Sequence, residues 1–167
     1  MNIVVRIVAA AAALSISAGA IAGKPAKVGE AAPPFTLTTY DKRKLTLADL
    51  KGKVVVINHW ATWCGPCKAE MPMMSGFHSK YKSRGFEIFG VTTEDSVPMF
   101  QLKRLAEVLS YPLVRSFSGN YPILTGVPTS YVIDRKGVVR YAKADSFSAQ
   151  EFVDLIIPLL NEPAPQQ

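Results

Sequence analysis

The feature that most constrains the fold is a run of four β-branched residues, Val54-Val55-Val56-Ile57, followed within one short loop by two cysteines and then by a helical period. A continuous β-branched run has no polar face, which marks a central strand buried on both sides. Beyond it Cys67, Met71, Met74, Phe77 or His78, and Tyr81 recur at three- and four-residue spacing, and Gly85 stops the pattern as a C-terminal cap. Residues 86–91 form a second apolar strand. Strand, helix and strand with a crossover of this length make a right-handed βαβ unit, so the chain is expected to be α/β.

Other elements are read around that unit. Residues 35–38 and 45–47 alternate apolar and polar about the turn 40–44, predicting a hairpin. Ser96 and Pro98 open a helix with the stripe Met99, Leu102, Leu105 or Ala106, and Leu109. Residues 129–133 and 138–141 flank the turn 134–137 as a second hairpin. Ser148 and Glu151 have capping-box spacing and open a last helix carrying Phe152, Leu155, Ile156 and Leu159. This order fits a mixed α/β three-layer sandwich. With 167 residues, 49% of them hydrophobic, one core forms without a structural metal or disulfide.

Residues 1–22 read as an export signal: Arg6, an apolar stretch 7–16, then small residues at Ala18-Gly19-Ala20 or Ala20-Ile21-Ala22. The alternative is an uncleaved anchor, for which the 17 apolar residues 7–23 are at the lower limit of length. A Pro- and Ala-containing linker, 23–34, then leads to one domain, 35–160, and a disordered tail, 161–167. The net charge of +6 is scattered over single residues and short groups such as Lys42-Arg43-Lys44 and Lys103-Arg104, which read as solvated faces. No basic stripe with interleaved aromatics is present, which argues against nucleic-acid binding.

The only two cysteines lie in Trp63-Cys64-Gly65-Pro66-Cys67, between the strand and the helix. Two thiols in one loop point to chemistry, not to stapling. The helix N-terminus offers unpaired N–H groups and partial positive charge, which favour a thiolate on the first cysteine. Cys64 is therefore the expected nucleophile and Cys67 the resolving thiol. Pro66 suits a first helical turn, and Gly65 lets the loop bend. A structural zinc site lacks its other ligands. A haem-attachment motif needs His where Lys68 stands. A passive disulfide across so short a loop adds little stability.

The stretch from Asn58 to Pro72, NHWATWCGPCKAEMP, with Gly126-Val127-Pro128-Thr129 and the segment 132–137, closely resembles the TlpA/ResA-like branch of the thioredoxin superfamily. The resemblance covers residues 29–160. It implies a thioredoxin fold, a central mixed β-sheet flanked by helices with an N-terminal β-hairpin extension. It also implies a redox-active Cys64–Cys67 disulfide with no other cofactor and no metal. Pro128 matches the family's cis-proline, so Val127 and Pro128, with Trp63, Gly65 and Pro66, form the surface that meets substrate. Glu70 matches a residue that manages the protons of the thiols, although residue statistics alone leave it an exposed surface glutamate. Asn58 departs from plain thioredoxins, which carry a buried Asp there; Asn cannot titrate, so proton traffic falls to Glu70 or water.

The resemblance further implies reduction of disulfides in exported proteins, such as apocytochromes or copper-site proteins. The expected setting is a monomer in the periplasm or otherwise outside the cytoplasm, soluble after cleavage or tethered by its N-terminus. Its expected partners are protein disulfides and a membrane electron donor such as a DsbD/CcdA-like thiol transporter. Three rivals stand beside this reading: a disulfide-forming oxidase, against which Gly65-Pro66 argues; a copper metallochaperone using Cys64 and Cys67; and a peroxidase, whose Pro-x-x-x-Thr-x-x-Cys setting is absent. His59, pointing opposite to Asn58 on a strand, is expected to be a core histidine satisfied by hydrogen bonds. His78 is expected on the outer side of its helix, Pro72 to kink that helix, and Met71, Met73 and Met74 to fill core.

Overall fold

The computed structural model describes residues 23–93 and 97–165. The expected export signal, the Ser96 helix start, the side chain of Met99 and the last two residues lie outside the described residues. Among those described, the strands β1 (Phe35–Thr39), β2 (Lys44–Thr46), β3 (Val54–Trp60), β4 (Phe86–Thr92), β5 (Leu113–Gly119), β6 (Thr129–Ile133) and β7 (Val139–Lys143) form one sheet in the order β2-β1-β5-β4-β3-β6-β7. β3, β4 and β5 run parallel, and the remaining pairs are antiparallel. The helices are α1 (Gly65–Tyr81), α2 (Met99–Val108) and α3 (Ala149–Asn161).

The β-branched run becomes β3, next to the centre of the sheet, with every residue buried. Its period of two divides the core. Val54, Val56 and Trp60 face one hydrophobic cluster, built with Met71 and Met74 of α1, Leu102 of α2 and Phe152, Ile156 and Leu159 of α3. Val55 and Ile57 face the other, with Phe35, Leu37, Phe89 and Tyr131. That second cluster is closed by Leu50 of a 3-10 turn (Leu47–Leu50), by Tyr121 and by Ala26 and Ala32 of the N-terminal segment. The three-layer expectation is thus corrected: the helices share one cluster, and a turn, a loop and the N-terminal segment cover the other face.

One strand lies outside the sequence expectation, and three further expectations change. β5 escapes the hydrophobic pattern because Arg115, Ser116 and Ser118 are exposed; pairing with β1 from Phe35↔Gly119 to Thr39↔Val114 holds it in the sheet. His78 is buried, not outward: its Nδ1 lies 3.2 Å from Ser110 Oγ and its Nε2 3.7 Å from Glu87 Oε2. Residues 23–34 are not a free linker, for Ala26 N–H donates to Asn120 O, Gly29 N–H to Val139 O and Ala32 N–H to Gly137 O, and Ala31 bridges to Val138. The expected tail starts inside α3, whose last residue Asn161 accepts a bond from Arg84, and Glu162 pairs with Arg140. α1 runs through Pro72, which is exposed on its outer side.

Gly90 on β4, paired with Asn58 of β3, is a tightly packed position. A Cβ there would stand 2.7 Å from Leu113 Cδ2 and 3.3 Å from both the Trp60 indole nitrogen and Tyr111 Cε2. Gly90→Ala is expected to destabilise the fold by about 1–3 kcal/mol through overpacking. The urea midpoint, with an unchanged slope, is the measurement.

Candidate active site

β3 ends at Trp60, and the four residues 61–64 deliver the chain to the N-terminus of α1. Cys64 is the N-cap residue and is disulfide-bonded to Cys67 one turn inside. Cys64 N–H donates to Ala61 O at 3.1 Å, fixing the turn, and Cys64 Sγ accepts from Cys67 N–H at 3.1 Å. That N–H belongs to the group at the positive end of a helix, so it favours a thiolate at Cys64 once the pair is reduced. Both cysteines are nearly buried, whereas Gly65 and Pro66 are exposed and Trp63 is 60% exposed. Access to the sulfurs is therefore restricted to one rim.

The Val127–Pro128 peptide is cis, and the Val127 carbonyl oxygen stands 3.6 Å from Cys64 Sγ. Thr129 Oγ1 holds this turn by donating to Gly126 O at 2.6 Å and accepting from Leu124 N–H at 3.3 Å. On the other side, Thr62 Oγ1 accepts from Val97 N–H at 3.1 Å and ties the active-site loop to the approach to α2. The turn from Trp63 to Cys67 and the Val127–Pro128 turn, more than sixty positions apart in the chain, thus meet at Cys64 Sγ, with Cys67 and Pro128 buried behind the exposed Trp63, Gly65 and Pro66.

Glu70 is buried, at 4% exposure, and not on the surface. Its Oε1 accepts from Asn58 Nδ2 at 2.9 Å, and its Oε2 from Phe147 N–H at 3.0 Å. Asn58 Nδ2 also lies 3.0 Å from Ser130 Oγ. Burial pushes the Glu70 carboxyl above the usual range; the Phe147 N–H and the Asn58 amide pull it back, and the nearby Asp145 pushes it up. Asn58 is therefore a donor to Glu70, whereas an Asp at this place would set a second carboxylate against it. Ser130 and Phe147 carried no sequence signal, the latter because only its backbone acts.

His59 lies on the opposite face of the sheet, edge-on to Phe117 and Tyr131, and stands outside the site. One hydrogen bond to the Tyr121 backbone supports it, but Nε2 has no partner among the described residues, so its satisfaction there is only partial. Among the described residues, no group of three or more His, Cys, Asp or Glu is arranged to hold a metal ion.

Comparison with known proteins agrees with this geometry. A model described as the AhpC/TSA family matches residues 28–142. The chain is similar to thiol-disulfide oxidoreductase ResA of Bacillus thuringiensis subsp. konkukian, 33% identical over 138 residues, 79% of this chain and 80% of that protein. It is also similar to the thioredoxin-like protein YneN of Bacillus subtilis, 31% identical over 128 residues, 74% of this chain and 75% of that one. The crystal structure of a thiol:disulfide interchange protein of the thioredoxin family from Chlorobium tepidum superposes with a TM-score of 0.65 at 27% identity, covering 83% of this chain and 99% of that one. The mixed sheet with its three helices is a thioredoxin fold.

Proposed function

This chain belongs to the AhpC/TSA family and is a thiol-disulfide oxidoreductase, and from that premise we propose that it reduces disulfides of proteins outside the cytoplasm, apocytochromes or copper-site proteins among them. The observation that carries the reading is the position of Cys64 Sγ, between the Cys67 N–H at 3.1 Å and the Val127 carbonyl at 3.6 Å. Export is supported by the charge and hydropathy pattern of residues 1–22. In the reduced enzyme the Cys64 thiolate attacks one sulfur of a substrate disulfide. A Cys64–substrate mixed disulfide forms, and the other substrate sulfur leaves as a thiolate and takes a proton. Cys67 loses its proton, attacks Cys64 Sγ, closes the Cys64–Cys67 bond and releases the second substrate thiol. Two electrons have then passed to the substrate, and a membrane thiol transporter restores the dithiol.

Trp63, Gly65, Pro66, Val127 and Pro128 receive the substrate strand, and Glu70 handles the proton of the buried thiol. A carboxyl with a raised pKa takes up and gives back a proton nearer neutrality than an ordinary one. Glu70→Gln is expected to lower the rate of disulfide reduction by about 10- to 100-fold and to remove an inflection above the usual carboxylate range from the pH–rate profile. An unchanged profile removes Glu70 from the mechanism.

Equilibration with glutathione buffers tests the direction of the reaction. A potential more negative than that of the glutathione pool is expected, and one near about −120 mV, typical of a strong oxidant, overturns the reductase reading. Intact mass of the protein from its native envelope fraction tests export with cleavage, the expected result being a chain that lacks the signal.

A further inference from the structure

A groove of about 870 Å3 runs from the active-site loop along the outer side of α1 to the end of α2. Thr62, two residues before Cys64, and Lys68, the residue after Cys67, line one end of it, so that end of the groove lies at the active-site loop. Met71 and Pro72 form one wall, and Leu105, Val108 and Leu109 the other. Val108 is 76% exposed on that wall. The two walls are stitched together: Ser110 N–H donates to Ser75 Oγ at 2.9 Å, and Ser110 Oγ to the Ser75 carbonyl at 2.5 Å. The spacing of the two walls is therefore fixed by hydrogen bonds at Ser75 and Ser110.

Resting on the thiol-exchange reading, we propose that this groove binds the substrate polypeptide itself, taking an extended apolar segment that flanks the cysteine under attack. Three observations select that occupant. The groove is continuous with the loop at which a mixed disulfide must form. Both walls carry apolar side chains interspersed with the neutral hydroxyls of Ser75, Ser79 and Ser110, and its charged side chains, Lys68 and Glu107, belong to different walls and carry opposite signs, so a neutral, largely apolar chain fits it better than an ion. Its length matches: Gly76 lies twelve residues beyond Cys64 on α1, about 18 Å at a helical rise, which an extended segment of about five residues spans. The cis-proline turn holds the cysteine; the groove selects what accompanies it.

Gly76 gives the test. It lines the groove, and a Cβ there meets nothing within 4 Å, so Gly76→Leu narrows the groove without disturbing the fold. Val108→Glu, on an exposed position, places a charge on the opposite wall. The reduced full chain is mixed with single-cysteine peptides carried as glutathione mixed disulfides, with five Leu/Val or five Ser/Gly residues on one side of the cysteine or the other. One of the apolar peptides is expected to react about tenfold faster than its polar counterpart, the gain from burying part of one aliphatic side chain. Both substitutions are expected to cut that preference to within about twofold while the rate with oxidised glutathione is kept. No preference in the parent protein, or one that survives both substitutions, overturns the groove. Failure of the parent to reduce oxidised glutathione overturns the thiol-exchange reading instead, and is seen separately.

Discussion

Cys64→Ser abolishes steady-state disulfide reduction, lowering the rate by about 10^3 or more, since the one sulfur left in the site, Cys67, lies one turn inside the helix and is 1% exposed. Cys67→Ser gives an equally inactive protein by a different route. Cys64 attacks once, the resolving thiol is missing, and a mixed disulfide accumulates. Insulin reduction measures the first loss, and non-reducing mass spectrometry finds the adduct in the Cys67 variant alone. The asymmetry rests on position: Cys64 caps α1 and faces the Val127 carbonyl at the rim, whereas Cys67 lies one turn inside at 1% exposure. An adduct on Cys67 in the Cys64→Ser protein would exchange the two roles. Neither substitution should greatly weaken the fold, because a cross-link spanning so few residues removes little entropy from the unfolded chain.

The second large effect lies away from the chemistry. Burial holds the His59 imidazole down to about 4 from an ordinary 6.5, against the opposing pull of its hydrogen bond to Tyr121. Between those two values the unfolded chain binds the proton that the folded chain refuses. Stability is therefore full above about pH 6.5 and falls as the pH drops toward 4, by about 3 kcal/mol in all. Glu70 acts with the opposite sign: its raised carboxyl makes the folded state the better proton binder, so its contribution is lost as the pH rises above the ordinary carboxylate value. Comparison of the parent with His59→Phe cancels the Glu70 effect. The Phe ring keeps the edge-on contacts with Phe117 and Tyr131 and leaves no imidazole to protonate. Urea midpoints from pH 4 to 7.5 should fall steeply for the parent and much less for the variant; parallel curves would sink the assignment.

Much of this was legible in the chain because it depends on local pattern. The β-branched run, the period from Cys67 to Tyr81 and the capping box at Ser148 each fix an element with neighbours no more than a few residues away. The cysteine pair needed only its place between two of them. What stayed hidden depends on long-range contacts. β5 is polar along much of its length and exists because β1 hydrogen-bonds to it. His78 and Phe77 compete for one helical position, and only Ser110 and Glu87, from other elements, draw the histidine inward. The bond from Phe147 to Glu70 spans 77 positions and uses a backbone donor that every residue but proline possesses.

The N-terminal segment bears on mechanics as well as on packing. A free chain of the twelve residues 23–34 would wander about 20 Å and let the domain tumble relative to whatever precedes it. Here Asn120 Nδ2 bonds the Gly23 carbonyl, the Ala26 N–H donates to Asn120 O, and residues 29–32 are bonded to residues 137–139 at the start of β7. The leash therefore has no slack over this stretch. Anything joined to Gly23 feels the domain as a rigid load with one fixed attachment point, and a held N-terminus would confine the rim of Cys64 to a small search volume with a preferred heading.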